Sequence, residues 1–211
     1  VESMSRAPYA LAKADSAFPF GNLMAYDTAL GWRFPNPRMV ELYGTDPMGE
    51  TAENIAQQYG ISREEQDRFA AQSHARAIAA MDAGKLAQEI LPVAIPQKKG
   101  DPMLTSVDER PRRDTTVESL ARLKPAFRQG GTVTAGNSSG MNDGAAALLI
   151  MSQEKAAALN LKPMARIVAS AAAGVEPRVM GLGPVPATRK ALQRAGIQFR
   201  DLGLAELNEA F

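Results

Sequence analysis

The sequence predicts an α/β protein in which layers of strands and helices are accompanied by an irregular, helix-bearing insertion. Segments typical of strands alternate with helical patterns in the second half of the chain, and this order favours a sheet covered by helices. Residues 1–130 instead carry isolated helical patterns among Pro, Gly and aromatic residues. Between these parts lies a Gly- and Asn-rich run, residues 130–144, which leads directly into the apolar residues 145–151.

Composition limits the functions that the chain can have. With 45% hydrophobic and 22% charged residues, a chain of 211 residues can bury a core, which argues against disorder. The net charge of +1 offers no field that would attract nucleic acid or an anionic membrane. No apolar run is long enough to span a membrane and no signal peptide is evident, so we expect a cytoplasmic protein. The lack of Cys and the single His argue against a metal site.

The clearest helices are marked by their ends. Residues 51–59 follow a helical pattern that Gly60 ends, and Ser62 with Glu65 forms a capping box that begins a second helix. Gly84 is placed to end this second helix. Its predicted apolar face consists of Phe69, Ala70, Ser73, Ala77, Ala80 and Met81.

Shorter elements are predicted along the rest of the chain. Pro92 and Pro96 confine residues 90–97 to an edge or irregular strand, followed by a turn at residues 98–101. The remaining predicted elements are helices over residues 116–123, 152–159 and 186–195, and strands over residues 145–151, 164–173 and 202–207.

Two features of the first half have alternative interpretations. Trp32 and Phe34 either plug a core, which we favour because large aromatic side chains are usually buried, or line a cleft. His74 is a catalytic candidate because it is the only histidine, although most histidines on amphipathic helices are solvated or structural.

Two further stretches are also open to two interpretations. Arg110, Arg112 and Arg113 form either a solvated loop with weak ion pairs or a site for a phosphorylated ligand. Residues 130–144 are either an ordinary connection or a path along which backbone N–H groups approach a polar ligand. The recognised phosphate-binding fingerprints do not fit this run.

Five motifs, taken in order, resemble the thiolase family. They extend over essentially the whole chain, and the five motifs in this order indicate the family far more specifically than any single motif does. The motifs are VESMSRAP at residues 1–8, MGETAEN at 48–54, TAGNSSGMNDGAA at 134–146, MGLGP at 180–184 and NEAF at 208–211. The segments GWRF at 31–34 and AGVEPR at 173–178 look most like bacterial 3-oxoadipyl-CoA thiolases of aromatic-compound breakdown.

The resemblance implies a partial thiolase fold. That fold has five αβαβα layers built from two similar halves, with an inserted, helix-containing loop domain that holds coenzyme A. Residues 1–10 would end the N-terminal half, 11–140 form the CoA-binding loop domain, 141–163 return to the N-terminal half, and 164–211 begin the C-terminal half. We therefore expect this chain to be an internal fragment of a larger enzyme.

The resemblance also implies where a CoA thioester would lie. Ala135 and Ser139 are expected to contact the pantetheine arm, Phe127 to pack near the adenine, and Arg112 to approach the nucleotide end. The residues expected to line the pocket near the reacting thiol are Met48, Met180 and Phe211.

Thiolases cleave a 3-oxoacyl-CoA by a ping-pong mechanism: a Cys takes the shortened acyl group, acetyl-CoA leaves, and a second CoA releases the acyl product. The resemblance places the nucleophilic Cys, the activating His and the second Cys outside this chain, which is therefore expected to be inactive alone. Asn208 is expected to position a water in an oxyanion hole; the alternative is that Asn208 and Glu209 form a strand-end turn. CoA is a substrate and no tightly bound cofactor is expected.

The implied function is cleavage of 3-oxoadipyl-CoA to acetyl-CoA and succinyl-CoA, by a homotetramer, in aromatic-compound or fatty-acid breakdown. Arg33 or Arg178 is a candidate partner for the distal carboxylate of the 3-oxoadipyl group, although each can equally be a surface or structural arginine. Two other functions stay open: a biosynthetic acetoacetyl-CoA thiolase, and a non-catalytic CoA-binding or scaffold protein derived from a thiolase.

Overall fold

The computed structural model describes residues 1–211, which form two compact units. The first unit comprises Val1–Thr51 and Met141–Asn208, and the second comprises Ala52–Gly140 and Glu209–Phe211. The boundaries of the domains predicted from the sequence stay a prediction. No helix in the chain combines the length and the apolar composition needed to cross a membrane.

Helices and short antiparallel strands make up both units. In chain order the elements are β1 (Tyr9–Leu11), β2 (Ala25–Asp27), α1 (Pro37–Tyr43), α2 (Met48–Tyr59), α3 (Arg63–Asp82), β3 (Val93–Ile95), β4 (Met103–Thr105), α4 (Val117–Ala121), α5 (Gln153–Ala158) and α6 (Pro184–Ala195). Short 3-10 helices span Leu86–Gln88, Pro177–Leu182 and Phe199–Asp201. The sheets are two ribbons, β1 with β2 and β3 with β4.

The predicted helix ends are confirmed where side chains or glycines fix them. The Ser62 hydroxyl accepts the N–H of Glu65, and the Glu65 carboxylate accepts the N–H of Ser62 at 2.8 Å. The backbone hydrogen bond from Ser62 lowers the pKa of Glu65. Gly60 and Gly196 end α2 and α6 with positive φ angles of +65° and +69°, which side-chain-bearing residues rarely adopt.

Helix α1 was not predicted. Asn36 caps it by accepting the N–H of Arg38 at 2.9 Å, and Pro37 occupies the first helical position. The Asn-Pro pair is a recognised signal for a helix start, because Pro has no N–H to leave unpaired there.

The strand predictions for residues 145–151, 164–173 and 202–207 are wrong. None of these segments lies in a ladder, and their apolar side chains are exposed, with Leu148 at 87% and Leu204 at 89%. The physical reason is that a strand requires a neighbouring strand to accept and donate backbone hydrogen bonds, and residues 1–211 supply none to these segments. Part of the backbone of residues 164–173 is hydrogen-bonded by a side chain instead of by a strand, because Arg194 of helix α6 donates to the carbonyl of Ser170 at 2.6 Å.

The favoured interpretation of Trp32 and Phe34 as a core plug is also wrong. Their side chains are 49% and 48% exposed. The ring of Phe34 packs edge-on against Tyr26 of β2, with 5.0 Å between centroids. This packing is against a two-stranded ribbon, which has too little apolar surface to enclose an aromatic ring.

In the second unit the most deeply buried residues are largely polar. Thr134 is 0% exposed, Asp67 1% and Val133 2%. Consequently the predicted apolar face of α3 needs correction at Phe69, which is 52% exposed, whereas the buried residue of this helix is Asp67. The cost of burying the Asp67 carboxylate is offset by Arg63, which donates to it from Nε at 2.7 Å.

Candidate functional site

The loop of residues 125–140, which contains the Gly-rich motif, folds back on itself. Pro125 and Thr134 form an isolated antiparallel bridge, and the N–H of Ala126 donates to the carbonyl of Val133 at 2.9 Å. Gly130 makes the turn with a φ of +70°. Contacts within the chain therefore determine the path of this backbone without a ligand.

A buried carboxylate on α2 holds one end of this loop. Glu53, which is 3% exposed, accepts the N–H groups of Thr132 and Val133 on Oε1 at 2.8 Å each. The Thr132 hydroxyl donates to Oε2 at 3.1 Å. Gly131 lies so close that a Cβ at its position would overlap Oε1 of Glu53. Only a glycine fits between the loop and the carboxylate.

A second buried carboxylate, on α3, holds the centre of the loop. The side chain of Asn137 donates from Nδ2 to Asp67 at 2.9 Å and accepts the N–H of Thr134 on Oδ1 at 2.7 Å. Asn137 is itself buried. The loop also approaches α4 closely, because a Cβ at Gly136 would lie 2.5 Å from the side chain of Leu120.

The two loop residues predicted to contact pantetheine are both exposed. Ala135 and Ser139 are accessible, whereas Thr134 and Asn137 beside them are buried. The N–H of Ser139 donates to the carbonyl of Ala210 at 3.0 Å, so the hydroxyl of Ser139 is not needed to hold the loop. The loop therefore separates anchoring residues from residues that face solvent.

Two of the predicted aromatic residues meet in the second unit. The rings of Phe127 and Phe211 pack edge-to-face with centroids 5.8 Å apart, and each residue is about two-fifths exposed, at 43% and 42%. The segment that carries Phe211 is also held by Ser73 of α3, whose hydroxyl donates to the carboxylate of Glu209 at 2.6 Å. The structure thus brings together Phe127, Ser139 and Phe211.

The arginine-rich segment is only partly engaged. Arg113 donates two hydrogen bonds to Asp82, at 2.6 and 3.0 Å, which lowers the pKa of that carboxyl group. The main-chain N–H of Arg112 donates to Nδ1 of His74 at 3.0 Å. The guanidinium of Arg112 is 71% exposed and lies 3.6 Å from Asp114. His74 therefore has a structural contact, and Arg112 presents its side chain to solvent.

The other predicted site residues belong to the first unit. Met48 begins α2 and is 52% exposed, and Met180 lies in a 3-10 helix and is 46% exposed. Asn208 is exposed as well. Their predicted roles, like those of the residues in the second unit, stay predictions.

Both candidate partners for a distal carboxylate have contacts within the chain. Arg33 donates to the carbonyl of Gly31 at 3.0 Å. Arg178 donates from Nε to Asp46 at 3.2 Å, beside an open cavity of about 370 Å³ between residues 40–44 and 176–178. A substrate carboxylate at Arg178 would have to compete with Asp46.

Four of the predicted ligand residues present exposed or half-exposed side chains in the second unit: Ala135, Ser139, Phe127 and Phe211. They offer a methyl, a hydroxyl and two aromatic rings, which suit a chain of amides and methylenes better than a compact anion. No three His, Cys, Asp or Glu side chains in residues 1–211 are grouped as a metal site requires. The anchoring residues Glu53, Asp67 and Ser73 were not predicted; for Glu53 the available signal was its place in the MGETAEN motif.

Comparison with known proteins identifies relatives along the whole chain. The chain is 56% identical over 211 residues to a beta-ketoadipyl-CoA thiolase of Escherichia coli, covering 100% of this chain and 52% of that protein. It is equally similar, at 56% identity and the same coverage, to a 3-oxoadipyl-CoA/3-oxo-5,6-dehydrosuberyl-CoA thiolase of Escherichia coli strain K12. The chain thus spans about half the length of these relatives.

The fold is that of solved thiolases. The crystal structure of the Bacillus anthracis acetyl-CoA acetyltransferase superposes with a TM-score of 0.82 at 44% identity, over 100% of this chain and 52% of that one. This likeness confirms the predicted fold class, a partial α/β thiolase fold. The family model of the thiolase N-terminal domain matches residues 1–154 and that of the C-terminal domain matches residues 161–211. The chain belongs to the thiolase family.

Proposed function

We propose that this chain is part of an acyltransferase that cleaves 3-oxoadipyl-CoA with CoA to give acetyl-CoA and succinyl-CoA. The observation that carries the proposal is the 56% identity to a beta-ketoadipyl-CoA thiolase, sustained over all 211 residues. Because the chain covers 52% of that relative, the activity is assigned to the complete protein.

The geometry of the second unit supports a CoA thioester as the ligand. Ala135 and Ser139 are exposed on an anchored loop, which suits contact with the amide-rich pantetheine arm. The half-exposed rings of Phe127 and Phe211 offer apolar surface nearby. Arg112 has an exposed guanidinium, which suits the phosphates of the nucleotide end.

The proposed reaction is a thiolytic carbon–carbon cleavage. A cysteine thiolate from outside this chain attacks the 3-oxo carbon, the bond between C2 and C3 breaks, and its electrons form the enolate of acetyl-CoA, which is then protonated. The thiol of a second CoA molecule then attacks the acyl carbon of the acyl-enzyme, the bond from that carbon to the cysteine sulfur breaks, and succinyl-CoA leaves as the cysteine is regenerated. Within this chain, Asn208 supports a water that donates a hydrogen bond to the thioester oxygen as negative charge develops there.

A second candidate is a biosynthetic acetoacetyl-CoA thiolase. The likeness to the acetyl-CoA acetyltransferase of Bacillus anthracis favours it, although the identity of 44% is lower. For either activity we propose a homotetramer in the bacterial cytoplasm; light scattering of the purified protein would measure its assembly state.

Steady-state kinetics of the complete protein test this proposal. We expect kcat/KM for 3-oxoadipyl-CoA to exceed that for acetoacetyl-CoA by about tenfold or more, because a site that pairs a substrate carboxylate discriminates strongly against a substrate that lacks it. Preference for acetoacetyl-CoA would establish the second candidate. Binding of CoA without turnover of either substrate would instead support a non-catalytic protein derived from a thiolase.

A further inference from the structure

Helix α3 uses a polar face to contact the rest of the second unit. Gln66, Asp67, Ser73 and His74 are spaced so that they follow one side of the helix, and each makes a hydrogen bond to a segment distant in the chain. Phe69, the largest apolar residue of the helix, is largely exposed. Hydrogen bonds on this face therefore connect the helix to several distant segments of the second unit.

The first half of this face holds the loop that carries Ala135 and Ser139. Asp67 accepts from Nδ2 of Asn137 at 2.9 Å, and Gln66 donates from Nε2 to the hydroxyl of Thr132, also at 2.9 Å. Asp67 is 1% exposed, so no solvent competes for its carboxylate. These contacts lie within the same loop whose exposed residues are proposed to meet pantetheine.

The second half of this face holds two further segments. Ser73 donates to Glu209 at 2.6 Å, and Glu209 is two residues before Phe211, which packs on Phe127. His74 accepts the main-chain N–H of Arg112 through Nδ1 at 3.0 Å. Each of these segments carries a residue proposed to contact the CoA thioester.

We propose that Gln66, Asp67, Ser73 and His74 are positioning residues that set the spacing of three segments around one CoA thioester. The inference rests on the proposed function. A helix rises by about 1.5 Å per residue, so the turns that hold Asp67 and His74 are separated by roughly 10 Å along a rigid axis. Hydrogen bonds are directional, so they fix the rotation and the height of each segment, which apolar contacts would leave free to slide.

The test compares paired variants of the complete protein. Ser73→Ala removes the hydroxyl, and Ser73→Thr retains it. His74→Leu removes the acceptor, and His74→Asn places an oxygen near the position of Nδ1. Gln72→Ala, at an exposed neighbouring position of α3, is the control. Alanine and leucine favour helices, so the two disruptive variants are not expected to unfold α3.

We expect Ser73→Ala and His74→Leu to raise KM for CoA about three- to tenfold with kcat changed less than about twofold, since each loses one hydrogen bond of partly exposed groups. Ser73→Thr and His74→Asn should restore most of the affinity. A purely structural loss would lower the amount of active protein, and thus kcat, without changing KM. Values of KM equal to that of Gln72→Ala would overturn the inference.

Calorimetry with CoA on the same proteins separates this inference from the proposed function. If the wild-type protein binds CoA and all variants bind it equally well, only the positioning role is overturned. If the wild-type protein binds no CoA at millimolar concentration, the proposed function fails and the positioning role fails with it.

Discussion

The carboxylate of Glu53 accepts the main-chain N–H of Val133 at 2.8 Å, although the two residues are 80 positions apart in the chain. Both residues are almost completely buried. This contact ties the Gly-rich loop to helix α2, and it shows how a buried residue of the MGETAEN motif supports the backbone of the TAGNSSGMNDGAA region. Its energetic importance can be measured directly.

Glu53→Ala is expected to destabilise the complete protein by about 3 kcal/mol. The substitution leaves the buried N–H of Val133 and the partly buried N–H of Thr132 without an acceptor, and each such loss costs about 1–3 kcal/mol. Glu53→Gln retains one acceptor oxygen and should cost less. Urea denaturation measures the free energy of unfolding, with Glu64→Ala as the control because Glu64 is exposed. Equal stability of the two alanine variants would contradict the proposed anchoring.

Gly131→Ala tests the same contact from the opposite side. A Cβ at Gly131 would overlap the Glu53 carboxylate and approach the carbonyl of Arg128 to 3.0 Å. We expect a loss of about 1–3 kcal/mol from this overpacking. Gly203→Ala is the control, because a Cβ there meets no atom within 4 Å.

A double-mutant cycle shows whether the cost of Gly131→Ala arises at Glu53. In the Glu53→Ala background the clash with the carboxylate is absent, so Gly131→Ala should cost measurably less there. If its cost is unchanged, the clash lies elsewhere, for instance at the carbonyl of Arg128.

The ion pair between Asp82 and Arg113 predicts a small acid-dependent contribution to stability. Hydrogen bonds from Arg113 lower the pKa of Asp82 below its ordinary value of 3.8. A carboxyl group with a lowered folded-state pKa stabilises the folded protein when ionised, and this contribution disappears as the pH falls through the ordinary carboxyl range and below it. The side chain of Arg113 is 62% exposed and that of Asp82 is 56% exposed, so solvent and salt screen the pair.

Asp82→Asn should therefore reduce the fall in melting temperature on acidification, and the difference from wild type should shrink in high salt. Thermal melts followed by circular dichroism at neutral and acid pH, in low and high salt, measure this. Asp15→Asn serves as the control because Asp15 is exposed. A melting temperature of Asp82→Asn that follows the same pH dependence as wild type would contradict the expectation.

Local signals allowed the helices to be predicted better than the strands. The capping box at Ser62 and the glycines at 60 and 196 act within a few residues, so their effect is visible in the sequence. Residues 164–173 have an alternating pattern that is equally local, yet they form no strand, because pairing depends on a second segment. The Asn-Pro signal at 36–37 was present but not used.

The exposed residues of the candidate site could be predicted from the sequence, but the buried residues that anchor its loop could not. Ala135 and Ser139 were identified through the resemblance to thiolases, whereas periodicity assigned the core of α3 to Phe69 instead of Asp67. A buried carboxylate is stable only with partners. Arg63 is a partner of Asp67 only four residues away, but the partner that ties it to the loop, Asn137, is 70 residues away. A local sequence pattern cannot reveal a contact between residues so far apart, so the hydrogen bond between Asp67 and Asn137 is recognised only in the structure.

Ser139→Trp tests whether the loop faces CoA. Ser139 is exposed, and its N–H, not its side chain, makes the contact with Ala210, so an indole can be added without breaking the anchors of the loop. If the pantetheine arm passes over this residue, the added ring occupies its path, and the dissociation constant for CoA should rise about tenfold or more, equivalent to about 1.4 kcal/mol. Calorimetry on the complete protein measures the affinity, and Ser106→Trp, at an exposed serine beyond β4, controls for the addition of an exposed aromatic ring. An unchanged affinity in Ser139→Trp would show that CoA does not pass this side of the loop.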